Sequence, residues 1–236
     1  MTPRIADDVA RLRSLHCLVR RQFEGVTLIN ADWRDVLPDV TCDAIITDQP
    51  YGTGWNVGGG GEKANDFKAS RMKKVKPEWD ELDLSWMDYA PATLAAFCPI
   101  KGDGIWKMCL RLKTPVVLKY RKSNPMPFGA ACEPIVASRP ISAPWEKEAY
   151  NGDNALHPCQ KPVNLMAWLV MGLTEAGQTV CDPFMGSAST AIACIRTGRK
   201  FVGIEKDVKH FETACERVAN ELAQGVLLPP NDQAER

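Results

Sequence analysis

The last third of the chain constrains the fold most. An apolar stretch at 178–181 is followed by a small-residue segment at 187–197, a second apolar stretch at 200–204 and an amphipathic segment at 207–223. Strand, helix, strand, helix on this spacing implies parallel strands with helices packed on the faces of the sheet. Upstream, Val26 to Asn30 and Asp43 to Thr47 read as strands, the second fully buried. Residues 85–98 read as a helix, and a further helix follows Pro162, a residue suited to a first helical turn. Ile105 to Cys109, Val116 to Tyr120 and Pro134 to Ala137 read as short strands. Six residues separate the first of these from the second, too few for a parallel crossover. Either those two pair antiparallel or one of them is not a strand. Ile5, Val9, Leu12, Leu15 and Val19 stand at helical spacing and predict an amphipathic helix over 5–22. The expected fold is a single α/β domain with a mixed, mostly parallel sheet and one antiparallel strand pair. An N-terminal helix within 1–25 precedes the domain at 26–225, and a tail follows at 226–236.

Composition narrows the function. The 236 residues are 45% apolar, enough for a full core, and Lys plus Arg equals Asp plus Glu at 29 each. Zero net charge argues against a protein that grips nucleic acid by its global field. Nine cysteines without C-x-x-C spacing argue against a zinc ribbon or a disulfide framework and for reduced thiols in a cytoplasmic protein. Three histidines without ligand spacing imply no metal site. No run of 18 apolar residues occurs, so no membrane span is expected.

Three segments carry chemistry. Asp48-Gln49-Pro50-Tyr51 directly follows an apolar strand and so sits at the carboxyl edge of the sheet, where open α/β folds bind ligands. Pro50 stiffens the turn and pushes Gln49 toward extended backbone. The loop offers a carboxylate, a free main-chain carbonyl and an aromatic face. An aromatic amine is a poor nucleophile because its lone pair is delocalised. Two acceptors that take its two N–H bonds can hold the nitrogen and draw the lone pair out of conjugation. A strand that merely ends in a proline turn matches the same four letters. The second segment, Asp182-Pro183-Phe184-Met185-Gly186-Ser187-Ala188-Ser189-Thr190, joins a strand to a helix, with Gly186 for a tight turn. Glu205 follows 23 positions after Asp182, where an acid typically holds ribose hydroxyls. The third, His157-Pro158-Cys159-Gln160-Lys161-Pro162, places Lys161 before a helix, where it could pair with a ligand carboxylate.

Together these segments resemble the amino-methyltransferase family of DNA methylases in its permuted order, catalytic segment first and cofactor loop last. DQPY is similar to the family's D-P-P-Y motif, HPCQKP to H-P-x-x-K-P, and DPFMGSAST to D-P-F-x-G-S-G-T. FVGIEKD is similar to the strand ending in the ribose-binding acid, and the turn at Asn30-Ala31-Asp32 to a Gly-Asp turn upstream. The resemblance runs from about 26 to 218 and implies a Rossmann-like methyltransferase fold and S-adenosyl-L-methionine as cofactor. It implies Asp48, Gln49, Pro50 and Tyr51 as catalytic residues. Asp32, Asp48, Gln160, Lys161, Asp182, Pro183, Phe184, Gly186, Ser187 and Glu205 would bind the cofactor, with Lys161 near its carboxylate. Asp at the first motif position implies adenine N6 over cytosine N4. Two departures stand out. Gln49 replaces a Pro, which should be tolerated if its main-chain carbonyl is what matters. Ala188 replaces a Gly and has poorer access to positive φ, so it favours the rival reading of a catalytically weak DNA-binding protein.

Double-stranded DNA is the expected partner, with the chain a monomer or homodimer. Residues 52–80 read as a DNA-contacting loop, with Lys63, Lys68, Arg71, Lys73, Lys74 and Lys76 against Asp66 alone over 63–76. A solvated charged face has the same composition. A second basic stretch spans 101–122. Only about twenty residues separate the strand near 137 from His157, which leaves little room for a recognition domain and implies a short or relaxed target.

Overall fold

The structure, a computed structural model, describes residues 19–51, 82–98, 103–121, 132–142 and 160–224. The basic segment 63–76 and His157 lie outside the described residues. Eight strands among the described residues form one sheet: β1 (Val19–Phe23), β2 (Val26–Asn30), β3 (Ala44–Thr47), β4 (Thr93–Phe97), β5 (Val116–Arg121), β6 (Cys132–Ala137), β7 (Thr179–Asp182) and β8 (Lys200–Glu205). Their spatial order is β1-β2-β8-β7-β3-β4-β6-β5. The five strands from β2 through β8, β7 and β3 to β4 run parallel. Helices α1 (Trp33–Val36), α2 (Gly104–Cys109), α3 (Val163–Leu173), α4 (Ser189–Arg196) and α5 (Val208–Ala223) cover the two faces.

The central strands are apolar throughout because both faces are covered. All four residues of β3 are buried. Alternation divides the strand side chains between two cores. Leu28, Ile46, Ala95 and Ile135 pack with α3, α4 and α5 on one side. Ile29, Ile45, Ala96 and Val136 pack with Trp33, Trp86 and Met108 on the other. No helix among the described residues is long and apolar enough to cross a membrane.

Four expectations are corrected. Residues 19–23 form β1, not the end of a helix. A two-residue turn, with Gly25 at φ 70°, folds β1 back onto β2 as an antiparallel hairpin. The stretch 85–98 is a 3-10 turn over Ser85–Tyr89 followed by β4, since a buried strand of small apolar residues carries no period to separate it from a helix. Residues 105–109 belong to α2, with Met108 buried beneath and Trp106 exposed, which removes the crossover conflict. Among the described residues three pairings, not one, are antiparallel: β1–β2, β4–β6 and β5–β6. Strands β2, β3, β5, β6, β7 and β8 and the helices after Pro162 fall where expected.

Candidate active site

Strand order reverses between β3 and β7. From β3 the chain proceeds outward to β4, and from β7 it proceeds the other way to β8. The carboxyl ends of β3 and β7 therefore flank a crevice, the usual place for a ligand in such a sheet. The loop after β3 carries Asp48, Gln49, Pro50 and Tyr51, and the loop after β7 carries Pro183 to Ser187.

A buried carboxylate fastens the two loops together. Asp182 is 2% exposed and accepts hydrogen bonds from Thr47 Oγ1 at 2.6 Å, Thr190 Oγ1 at 2.7 Å and the Phe184 N–H at 3.0 Å. It joins the end of β3, the turn and the first turn of α4. Burial pushes its pKa up to about 6 despite those three donors. The sequence pointed to Asp182 as a ligand contact, whereas its oxygens are engaged inside the protein, bonding three loop and helix elements.

Asp48 lies in a tight polar cluster. Lys161 Nζ is 2.8 Å from its Oδ2, and the Tyr51 hydroxyl is 2.9 Å from its Oδ1. The same hydroxyl is 3.0 Å from Glu133 Oε1, and Lys161 Nζ is 3.4 Å from both Tyr51 and Glu133. Burial raises the Asp48 pKa; the charge of Lys161 lowers it and that of Glu133 raises it further. Burial, with Asp48 and Glu133 beside it, keeps Tyr51 protonated. Lys161, expected beside a cofactor carboxylate, is paired with Asp48. Gln49 turns its side chain inward, donating to the Phe97 carbonyl at 3.2 Å and lying 3.2 Å from Met108 Sδ, while its Oε1 has no partner among the described residues.

The second half of the crevice is lined by the turn after β7 and the end of β8. Glu205 Oε2 accepts the Gly186 N–H at 2.9 Å and its Oε1 the Asp207 N–H at 2.8 Å. Burial raises its pKa against these two bonds. Asp32, adjacent because β2 pairs with β8, caps α1 through the Arg34 N–H and meets Lys206 Nζ at 3.2 Å. Burial works to raise the Asp32 pKa, but the Arg34 N–H, Lys206 and the Arg34 charge outweigh it and hold the carboxyl below its usual range. Phe184 sits edge-on to Trp33 and Trp86, each at 6.2 Å between centroids. Trp86 Nε1 is buried without a partner among the described residues. Ser187 is held by Arg217, which donates to its main-chain carbonyl and, at 3.1 Å, to its Oγ; the Oγ in turn reaches Gln160 Oε1 at 3.4 Å. Acids for a diol, aromatic rings and an orphaned indole N–H together fit a nucleoside carrying a charged tail.

The sequence motifs missed Glu133, Thr47, Thr190, Trp86 and Arg217. Glu133 left a signal: it is the one acid in the apolar strand Cys132–Ala137, and an acid there is buried only when paired. Arg217 left none, being one of several charges on an amphipathic helix.

Comparison with known proteins gives a consistent picture. A family model described as DNA methylase matches residues 68–216. The chain is 35% identical over 65 residues to the Type II methyltransferase M2.DpnII of Streptococcus pneumoniae, 28% of this chain and 24% of that protein. It is 32% identical over 78 residues to the Type II methyltransferase M2.MboI of Moraxella bovis, 33% and 27% of the two chains. These matches span about a quarter of each curated relative. The fold resembles the crystal structure of the M1.HpyAVI-SAM complex, with a TM-score of 0.58, 24% identity, and 81% and 99% of the two chains covered. It also resembles the cytosine-N4-specific PvuII DNA methyltransferase, with a TM-score of 0.53, 13% identity, and 84% and 92% covered.

Proposed function

The chain belongs to the N6/N4 family of DNA methylases, and from that membership we propose that it methylates the exocyclic amine of a flipped-out base in double-stranded DNA, adenine N6 in particular. The observation that carries the proposal is the Thr47–Asp182 hydrogen bond, which sets Asp48 and the turn after β7 at one crevice. S-adenosyl-L-methionine, the methyl donor of this family, supplies an electrophilic sulfonium methyl when bound.

The chain's own residues hold and orient. Glu205 and Asp32, at the ends of neighbouring strands β8 and β2, offer acceptors for ribose hydroxyls and an adenine amine. The aromatic edge of Trp33, Phe184 and Trp86 shapes the adjoining wall, and Arg217 fixes the turn at Ser187. Asp48 and the Gln49 carbonyl accept the two N–H bonds of the target amine, and the Tyr51 face bears on the base. Extrusion of that base costs roughly a few kcal/mol, least at weakly paired steps. In-line positioning then supplies much of the rate. Lys161 must shift from Asp48 as the amine arrives, and a cofactor carboxylate is the natural second partner for it. Adenine is preferred to cytosine because relatives with Asp at the first motif position usually modify adenine.

Labelled-methyl transfer to mixed-sequence duplex DNA, followed by digestion to nucleosides and mass analysis, tests the proposal. Asp48→Ala should reduce transfer at least about 100-fold with cofactor affinity kept, and Glu205→Ala should weaken cofactor binding in calorimetry. DNA binding without any transfer by the wild-type chain would favour a non-catalytic role, and methyl-cytosine would reassign the base.

A further inference from the structure

Arg34 stands beside the aromatic wall of the cofactor half of the crevice, one position past Trp33 in α1. Its Nη1 donates to Asp32 Oδ1 at 3.1 Å and to Oδ2 at 3.2 Å, and its Nη2 donates to Asp83 Oδ2 at 2.7 Å. Its guanidinium carbon lies 4.9 Å from the centroid of the Trp33 ring. Asp83 is fastened in turn to the residues that carry Trp86. Its Oδ1 accepts the Ser85 N–H at 2.9 Å and the Ser85 hydroxyl at 2.6 Å. Burial works to raise the Asp83 carboxyl, but the Ser85 hydroxyl, the Ser85 N–H and Arg34 hold it below its ordinary range. One guanidinium thus joins two segments that are 49 residues apart in the chain. The first supplies Trp33 and the second Trp86, the two rings that stand edge-on to Phe184. The Arg34 and Asp83 side chains are 51% and 29% exposed, and ion pairs so exposed add little to stability. A planar fork ending on two carboxylates does fix direction, which an ammonium on a flexible stem cannot do.

We propose that Arg34 is a positioning residue for S-adenosyl-L-methionine: it holds Asp32 in aim and, through Asp83, locks Trp86 beside Phe184 and Trp33. The inference rests on the reading of this crevice as the cofactor site and deepens it. Asp32 accepts from the Arg34 N–H, twice from Arg34 Nη1 and once from Lys206 Nζ. A carboxylate has about four acceptor positions, so these fill it. Lys206 is 75% exposed and can swing into solvent, whereas Arg34 is held by Asp32, Asp83 and the Trp33 face. An arriving amine therefore displaces Lys206 and meets a carboxylate whose orientation Arg34 has already fixed.

Calorimetric titration of S-adenosyl-L-methionine into the full chain tests this, in a cycle of Arg34→Met, Asp83→Asn and the double variant. Met keeps the aliphatic stem over Trp33. Asn keeps an oxygen for both Ser85 bonds and turns an amide toward Arg34. Kd should rise roughly tenfold in Arg34→Met and about fivefold in Asp83→Asn. The double variant should stay near the value of Arg34→Met, well short of the roughly fiftyfold rise of independent sites. Arg34→Lys should remain weak, because an ammonium does not span two carboxylates. The sign separates a brace from a long-range field. The cofactor is a net cation, so a field alone would tighten binding when Arg34 is removed and loosen it when Asp83 is neutralised. Loss in both variants supports the brace. An unchanged or lowered Kd in Arg34→Met overturns it, as do effects that multiply in the double variant. A merely structural Arg34 would lower Tm and leave Kd in place on the folded variant. Should Arg34→Met fail to fold, Arg34→Lys takes its place in the cycle under the same criteria. Calorimetry needs neither DNA nor turnover. A wild-type chain that binds the cofactor and methylates no base sinks the proposed function alone, while one that binds no cofactor overturns this inference as well.

Discussion

Ala188 adopts φ 63° and ψ 35°, the left-handed region, and is the only non-glycine residue with positive φ among the described residues. It precedes α4 and is fully buried, so the strain is built into the turn that follows β7. The sequence showed that an alanine had replaced a glycine; the backbone shows what it costs. Ala188→Gly should stabilise the fold by about 1 kcal/mol, read as a higher urea midpoint, and should tighten cofactor binding if the turn is strained away from its bound shape. Asp182 illustrates the opposite case, a residue whose letter was legible and whose role was not. Its pKa of about 6 lies above the ordinary carboxylate value of 3.8, so between those values the folded chain binds a proton that the unfolded chain does not. Stability from this group is present below about pH 4 and is lost as pH rises through about 6, by on the order of 3 kcal/mol. Asp182→Asn keeps acceptors for Thr47 and Phe184 and gives Thr190 a donor. Unfolding measured at pH 4.5 and 7 should show a smaller difference in that variant than in the wild type.

At the scale of elements, periodicity identified β2, β3, β5, β6, β7, β8 and the three long helices because each presents a clear apolar face or an unbroken buried run. It failed where the run was short. Threonine, leucine, two alanines and phenylalanine in β4 suit either a strand or a buried helix, and only the place of β4 beside β3 decides. The β1–β2 hairpin turns at Gly25, just beyond the 5–22 stretch whose spacing suits a helix. Contacts between distant elements were illegible for a simpler reason. Arg217 lies 30 residues from Ser187, and nothing local marks it as the side chain that holds the turn. Arg217→Met, which keeps the aliphatic stem, should cost about 2 kcal/mol of stability and weaken S-adenosyl-L-methionine binding, measured by calorimetry on the folded variant.

Across the whole molecule, net charge is zero, so DNA affinity in this reading must come from local clusters. Within 101–122, Lys107 pairs with Asp103 and Arg111 with Asp88, all at the surface, where such pairs are weak and screened. The run at 63–76 has one acid against six bases. Replacing Lys73, Lys74 and Lys76 by Gln should reduce the salt dependence of DNA binding by close to three phosphate contacts, a change of about 2.7 in the log–log slope, and leave cofactor affinity unchanged. The sequence alone determined the parallel α/β core, the edge of the sheet that carries the chemistry, and the loops bearing Asp48, Asp182 and Glu205. Those features depend on neighbours a few residues apart, and their apolar runs and turn residues are local. Tertiary structure alone decided that Asp182 turns inward to Thr47, that Lys161 pairs with Asp48, and that Glu133 joins them across 85 residues of chain from β6. Hydrogen-bond partners of buried charges are chosen by what the packed strands bring within 3 Å, and no local pattern encodes that distance.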